Sequence, residues 1–340
     1  MRASLALILN LVLNILPAAE PAQGWYEHRE MLYFNIDCTL RFHGENQAVA
    51  DAIWKEWKEI DGIFNDYKDD SEISRINAGS DLTYTCSPLL TKAFAEAIQV
   101  EKQTEGAFSV TVGPLRRLWK GAVAAKRLPE SASIAALLPL MGPKAFSLNG
   151  STLTKKDPKV SFDFGGIVKG MAVDLAVARL QAAGIQRFLV QVGGETACKG
   201  LSPKERPARL GIPDPKDLEA MWCILADPGT GLCLSTSGNY RQPIVIDGKT
   251  LYHIYDPRSG EPCDTRVLSV TVVWKGLGHN AWADAMTKGG VVLDPKTFIR
   301  IAESQGAETL ILTENAEGAV VAQSSSAWKN LLITPPPESP

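Results

Sequence analysis

This sequence predicts an α+β fold, on three observations. Apolar residues recur at helical spacing in some stretches and at strand spacing in others. The two kinds of stretch follow one another without the strict alternation of a doubly wound sheet. The 340 residues, 45% hydrophobic and 21% charged, supply a large core and argue against a disordered chain. That length suits one large domain or two intertwined subdomains.

The chain opens MRASLALILNLVLNILPAAEPAQG: one basic residue, an apolar run from Leu5 to Leu16, then small residues and prolines. Residues 1–24 read as a secretory signal peptide cleaved near residues 19–24, since the run is short for a membrane span. An uncleaved N-terminal anchor is the alternative. The expected location is outside the cytoplasm, in the periplasm or another extracytoplasmic compartment. No cysteine lies near the cleavage site, which argues against a lipid anchor. The six cysteines (Cys38, Cys86, Cys198, Cys223, Cys233 and Cys263) contain no C-x-x-C pair. An oxidising compartment would allow disulfides, but several lie in apolar runs and read as small buried residues. A net charge of −3 without a basic run gives nucleic acid nothing to bind.

Residues 31–42 alternate like a strand. From Gln47 to Phe64 the apolar residues Val49, Ile53, Trp54, Trp57, Ile60 and Ile63 keep helical spacing. Ser87-Pro88 caps and opens a helix that stops near Gly106. Helices are expected over 115–126 and 131–138, then a hairpin over 146–154 with Asn149-Gly150 as its turn. KVSFDF (159–164) reads as a strand, followed by two glycines and a helix to about 183. A strand over 186–194 precedes a mainly β region with strands near 208–212, 219–225, 231–235 and 267–274. Helices near 280–289 and 296–305 and strands at 308–313 and 318–323 complete the domain. The proline-rich end reads as a tail.

Four stretches carry residue types suited to chemistry. In VSFDFGGIVKGMAVD (160–174), the free N–H groups and dipole of the helix start favour phosphate. There is no Gly-Lys-Ser/Thr and no full G-x-G-x-x-G, so a tight strand-to-helix turn is the plain alternative. Asp163 and Lys169 bracket the glycines with opposite charges. LSTSGNYRQ (234–242) offers hydroxyls, though such clusters are commonly plain loops. Asp284 and Lys288 stand one helical turn apart, placed for a salt bridge or for a shared site. In LYHIYDPRSGEP (251–262), Asp256, Pro257 and Gly260 specify a turn with His253 at its mouth. A catalytic base and a structural histidine are both compatible with that position.

Taken in chain order, FNDYKDDSEISRIN (64–77), GAFSVTVGPLRRLW (106–119), FDFGGIVKGMAVD (162–174), VQVGGE (190–195), GIPDP (211–215), STSGNYRQ (235–242) and HIYDPRSGEP (253–262) resemble the elements of one family. It is that of the FAD:protein FMN transferases, the flavin transferases of the ApbE type, and the resemblance runs from about residue 31 to 323. It implies an ApbE-like fold of mixed and antiparallel sheets with flanking helices over residues 25–325, with 326–340 as a flexible tail. It implies FAD as substrate, used with Mg²⁺, and transfer of its FMN half to a Thr or Ser hydroxyl of an acceptor redox protein, releasing AMP. A membrane-associated acceptor is compatible with this. Two alternatives remain at this stage: an FAD pyrophosphatase giving FMN and AMP, and a non-catalytic FAD-binding member.

Carried over by position, His253 resembles the catalytic base, and its near-neutral intrinsic pKa suits that task. Asp163 and Lys169 match positions touching FAD, Tyr67 the aromatic lying against the flavin, and Tyr255 a backbone contact to it. Ala107, Phe108 and Ser109 match the segment lining the cofactor pocket, and Met31 the start of a Met-Gly-Thr element. Gly166, Asp284, Thr287 and Lys288 cover the metal element. Three departures accompany the match: Leu32-Tyr33 after Met31, Ser109 where the family has Asp, and Lys288 where it has Thr. An ammonium four residues after Asp284 is expected to compete for that carboxylate, weaken Mg²⁺ binding and itself stabilise phosphate charge.

Overall fold

The computed structural model describes residues 23–32, 36–217, 219–238, 244–246, 248–251, 254–263 and 266–334. Strands β1 (Trp25–Leu32) and β2 (Ile36–His43) pair antiparallel and lead into α1 (Gln47–Phe64). Ile53, Trp54, Trp57 and Ile60 form the buried stripe of α1, as their spacing requires. After α2 (Glu72–Ala78) and β3 (Thr83–Thr85), Ser87 caps α3 (Pro88–Gln103) by accepting from the Leu90 N–H. Helices α4 (Gly113–Ala125) and α5 (Ser131–Leu137) precede the hairpin of β4 (Phe146–Asn149) and β5 (Thr152–Lys155). The rest is α6 (Val168–Ala182), β6 (Phe188–Val192), β7 (Glu195–Lys199), β8 (Arg209–Pro213), β9 (Met221–Ala226), β10 (Leu232–Gly238), β11 (Ile244–Ile246), β12 (Lys249–Leu251), β13 (Val267–Lys275), α7 (Asn280–Val292), α8 (Pro295–Ser304), β14 (Glu308–Glu314), β15 (Val320–Ser324) and β16 (Leu332–Thr334).

An eight-stranded sheet of order β1-β2-β6-β7-β10-β13-β14-β15 is the frame, antiparallel at every pairing. Alternate residues serve two cores. Cys233, Val270, Val272 and Ile311 join the core shared with α1, α3, α6 and α7. Leu234, Val273, Leu310 and Leu312 pack with Trp222 and Leu225 of a small sheet, β16-β9-β8. Cover on both faces explains why β13, VLSVTVVWK, is apolar almost throughout rather than alternating.

The α+β expectation holds, with four corrections. β1 begins at Trp25, ahead of the expected start at residue 31. In the hairpin, Asn149 pairs with Thr152, so the turn residues are Gly150 and Ser151, with Gly150 at φ 57° supplying the positive φ that a Gly-first turn requires. Residues 159–164 form no strand. Val160, Phe162 and Phe164 are buried as the alternation suggests, but the Phe162 N–H and C=O bond the Asn77 side chain at 2.7 and 2.8 Å, and the Asp163 N–H bonds the Val110 carbonyl. Side-chain and loop partners satisfy this backbone in place of a neighbouring strand. Finally, the segment from residue 326 is not all tail: Trp328 and Leu331 are buried, and β16 adds to β9. All six cysteines are buried, Cys38, Cys86, Cys198, Cys223 and Cys233 are free thiols, and burial pushes the thiols of Cys38, Cys223 and Cys233 up to about 12.

The contact between α6 and α7 positions the site. A Cβ on Gly170 would lie 2.1 Å from the Asn280 carbonyl oxygen, so only glycine lets the two backbones meet. One turn further along α6, the Asp174 carboxylate accepts from the N–H groups of Asn280 and Ala281, both at 2.9 Å. It serves as the cap that α7 lacks on its own chain segment. Burial pushes Asp174 up to about 6 against those two bonds. The folded protein therefore holds this proton more tightly than the unfolded chain, whose carboxyl titrates near ~4. Stability from this group is full below pH ~4 and is lost as pH rises through about 6. In denaturant melts, the stability deficit of Asp174→Asn is expected to narrow from pH 4 to pH 7; a deficit independent of pH would refute this.

Candidate active site

Four ionisable side chains from three elements converge beneath the glycine turn that precedes α6. Asp284, on α7, is fully buried. Its Oδ2 accepts from Lys169 Nζ and from the Gly170 N–H, each at 3.2 Å, and its Oδ1 accepts from Lys288 Nζ. Lys169 also lies 3.4 Å from Oε1 of Glu195, which is 1% exposed at the start of β7. Glu195 Oε2 has no hydrogen-bond partner among the described residues. The two lysine side chains keep 20% and 19% exposure, against 1% for Glu195 and none for Asp284.

Charge coupling sets the protonation of this group. Burial and then the Asp284 carboxylate push Glu195 up to about 7, against the pull of Lys169 and Lys288. Burial would also raise Asp284, but the two lysines outweigh it and hold Asp284 at about 2. Lys169, between two carboxylates, is raised despite its burial. Burial lowers Lys288, and its attraction to Asp284 only partly offsets this.

The glycine turn closes over the cluster. Asp163 Oδ1 accepts from the Gly165 N–H at 2.8 Å, and Lys169 Nζ donates to the Gly165 carbonyl at 3.3 Å. A Cβ on Gly166 would come within 3.2 Å of Phe108 and 3.4 Å of Lys288 Cγ, so the missing side chain lets the turn lie against both. The Phe108 N–H is held by Thr104 Oγ1, while Ala107 is buried beside it and bonds the Thr104 carbonyl. Ser109 is turned inward: its Oγ caps the Thr111 N–H at 3.2 Å and lies 2.7 Å from Thr111 Oγ1.

On the outer side, Arg116 joins Asp163 at 3.0 Å and pairs with Asp66. Tyr67 is 62% exposed, with Arg116 and Lys120 over its ring at 5.3 and 5.1 Å. These cation–π contacts tie the ring to the Arg116 pair with Asp66 and Asp163. Tyr255 stacks on Trp119, and the Asp-Pro turn beside it is built as its residues specify. The Gly260 N–H bonds the Asp256 carbonyl, Gly260 has φ 78°, and Trp119 Nε1 donates to the Gly260 carbonyl at 3.0 Å. His253 lies outside the described residues, as do positions 239–242 of STSGNYRQ.

The structure thus brings Asp163, Gly166, Lys169, Phe108, Asp284, Thr287 and Lys288 together. Met31 is exposed on edge strand β1, three strands from Glu195 and roughly 14 Å away at ordinary strand spacing. Glu195 and Arg116 had no role in the sequence reading, although both lie inside quoted motifs. A carboxylate directly after two glycines at a strand end was the available signal for Glu195.

The metal element departs from what the resemblance implies. A magnesium ion demands oxygen ligands at ~2.1 Å in octahedral array. Here both Asp284 oxygens are bonded by ammonium or amide N–H, and Thr287 Oγ1 donates to the Asp284 carbonyl at 2.6 Å and lies 2.6 Å from Ser237 Oγ. Lys288 carries a cation and no lone pair, so it is not a ligand. Among the described residues, no group of three or more His, Cys, Asp or Glu side chains could hold a metal. The side chains present do not fit Mg²⁺.

An antiparallel α+β domain with a glycine turn, paired lysines and a stacking tyrosine is, as a class, an anion-binding protein suited to a ligand with phosphate and ring. Comparisons narrow the class. Residues 34–311 match the ApbE family. The chain is 32% identical over 285 residues to an FAD:protein FMN transferase of Vibrio cholerae, covering 83% of this chain and 84% of that one. It is 31% identical over 303 residues to one of Haemophilus influenzae, covering 86% and 84%. The solved flavin transferase ApbE from Vibrio cholerae superposes with a TM-score of 0.79 at 28% identity, covering 91% of this chain and 99% of that one. This chain belongs to the ApbE family.

Removing one partner of a buried ion pair leaves an uncompensated charge. Asp284→Ala is expected to cost on the order of 3–5 kcal/mol in denaturant unfolding, and Lys288→Met in the same background to recover part of it. Additive losses in the double variant would refute the coupling.

Proposed function

We propose that this protein transfers the FMN half of FAD to a Thr or Ser hydroxyl of an acceptor redox protein and releases AMP. The observation that carries this reading is the Asp163–Lys169 glycine turn closed over Lys288 and Asp284, in a member of a family whose relatives are named FAD:protein FMN transferases. In the step, the acceptor hydroxyl oxygen attacks the phosphorus that bears the riboflavin side. A P–O bond to the acceptor forms, the P–O bond to the AMP phosphate breaks, and AMP leaves with the bridging oxygen. The hydroxyl proton passes to a base, for which we propose His253. Tyr67 offers a stacking face to the flavin ring. The ammonium groups of Lys169 and Lys288 supply positive charge to the pyrophosphate, while the N–H groups of Ile167, Val168 and Gly170 at the start of α6 are already bonded to the Phe164 carbonyl and to Asp284. Asp163 keeps the turn in shape and orients Arg116. The family resemblance implies Mg²⁺, but no step is assigned to it because the donor set does not fit.

The test is incubation with FAD and an acceptor carrying an Asp-x-x-Thr segment, read by intact-protein mass spectrometry. Gain of one FMN less water on the acceptor, with one AMP released, is expected. FMN and AMP formed without any change in acceptor mass would instead identify an FAD pyrophosphatase. His253→Ala is expected to bind FAD normally and transfer about 10²–10⁴-fold more slowly; an unchanged rate would remove His253 from the mechanism.

We also propose that the protein works outside the cytoplasm, where a membrane-associated acceptor would be accessible. The apolar Leu5–Leu16 run followed by small residues supports this. Among the described residues no helix is long and apolar enough to cross a membrane, and the first 22 residues lie outside them. N-terminal sequencing of protein from its native host is expected to begin between Glu20 and Trp25; an intact Met1 would overturn the proposal.

A further inference from the structure

We infer that the Lys288 ammonium replaces a divalent cation in this site, so that flavin transfer by this chain is metal-independent. The inference rests on the proposed transfer of FMN. Three observations carry it. The Lys288 side chain runs beneath the glycine turn, with Cγ and Cε at 3.4 and 3.6 Å from where a Gly166 Cβ would be, so it fills the space between that turn and Asp284. Its ammonium bonds Asp284 Oδ1 and lies 3.4 Å from Thr287 Oγ1. An ammonium has three N–H donors, and these two contacts use two of them, while the side chain keeps 19% exposure. The remaining donor can serve a phosphate oxygen.

Lys169 strengthens the case. It holds the second Asp284 oxygen at 3.2 Å and Glu195 at 3.4 Å, so two fixed positive charges already sit where a dication would have to enter. A dication entering there would be repelled by both ammonium groups. With the ammonium as a fixed point charge, the pyrophosphate is neutralised without recruiting an ion from solution.

The test compares wild type, Lys288→Thr and Lys288→Met. Manganese binding is read by electron paramagnetic resonance, and FMN transfer is read in excess chelator and in magnesium. Wild type is expected to bind no Mn²⁺ at the site and to transfer FMN equally fast in chelator and in magnesium. Lys288→Thr is expected to gain one Mn²⁺ and to stop in chelator. Lys288→Met, which keeps the volume without the charge, is expected to lose about 10²–10³-fold in transfer under both conditions. Wild-type transfer that stops in chelator and returns with magnesium overturns the inference, and that measurement needs no variant to fold. Equal Mn²⁺ affinity in wild type and Lys288→Thr overturns it as well. Mn²⁺ bound by the Thr variant alone, with no transfer by any form, supports the replacement of the cation and sinks the transfer reading instead.

Discussion

The backbone contact between Gly170 and Asn280 governs the rest of this molecule. With no Cβ at Gly170, the start of α7 comes directly against the first turn of α6. That closeness lets Asp174 cap α7 and lets Asp284 accept from the Gly170 N–H. It also aligns Lys169 on α6 with Asp284 and Lys288 on α7. Any residue with a side chain at position 170 would part the helices and dissolve the charge cluster together with the cap.

The cluster itself is a balance between desolvation and pairing. Two carboxylates with almost no exposure would be untenable alone, and two ammonium groups beside them make the arrangement close to neutral. The asymmetry within it is functional. Asp284 is held ionised and fully engaged, whereas Glu195 is pushed towards the neutral form. The lysine side chains keep 20% and 19% exposure, where the carboxylates keep almost none.

Beyond the cluster, the eight-stranded antiparallel sheet acts as a partition. Its helix-covered face carries the site, and its other face is sealed by the β16-β9-β8 sheet. The Asp-Pro turn is built as a separate rigid corner, with Trp119 bonded to the Gly260 carbonyl and stacked on Tyr255. Rigid corners of this kind hold reactive groups in place without using the sheet itself.

The sequence by itself determined the α+β class, the periodic helices such as α1, the Gly260 turn and the pairing of Lys288 with Asp284. In each of these the cause is local: 3.6-residue spacing, a positive φ, or two charges one turn apart. Its motifs also named most of the residues around the glycine turn. Tertiary structure decided what lies across long stretches of chain. Residues 159–164 alternate like a strand yet find Asn77 and Val110 as hydrogen-bond partners, because pattern specifies burial and not which neighbour satisfies the backbone. Glu195 joins Lys169 and Asp284 only because β7 begins beside α6, and Arg116 reaches Asp163 from another helix. Whether the aspartate at 284 can accept a metal depends on where two lysines 119 positions apart in the chain put their ammonium groups. Charge competition at that range is set by packing, which no local pattern contains.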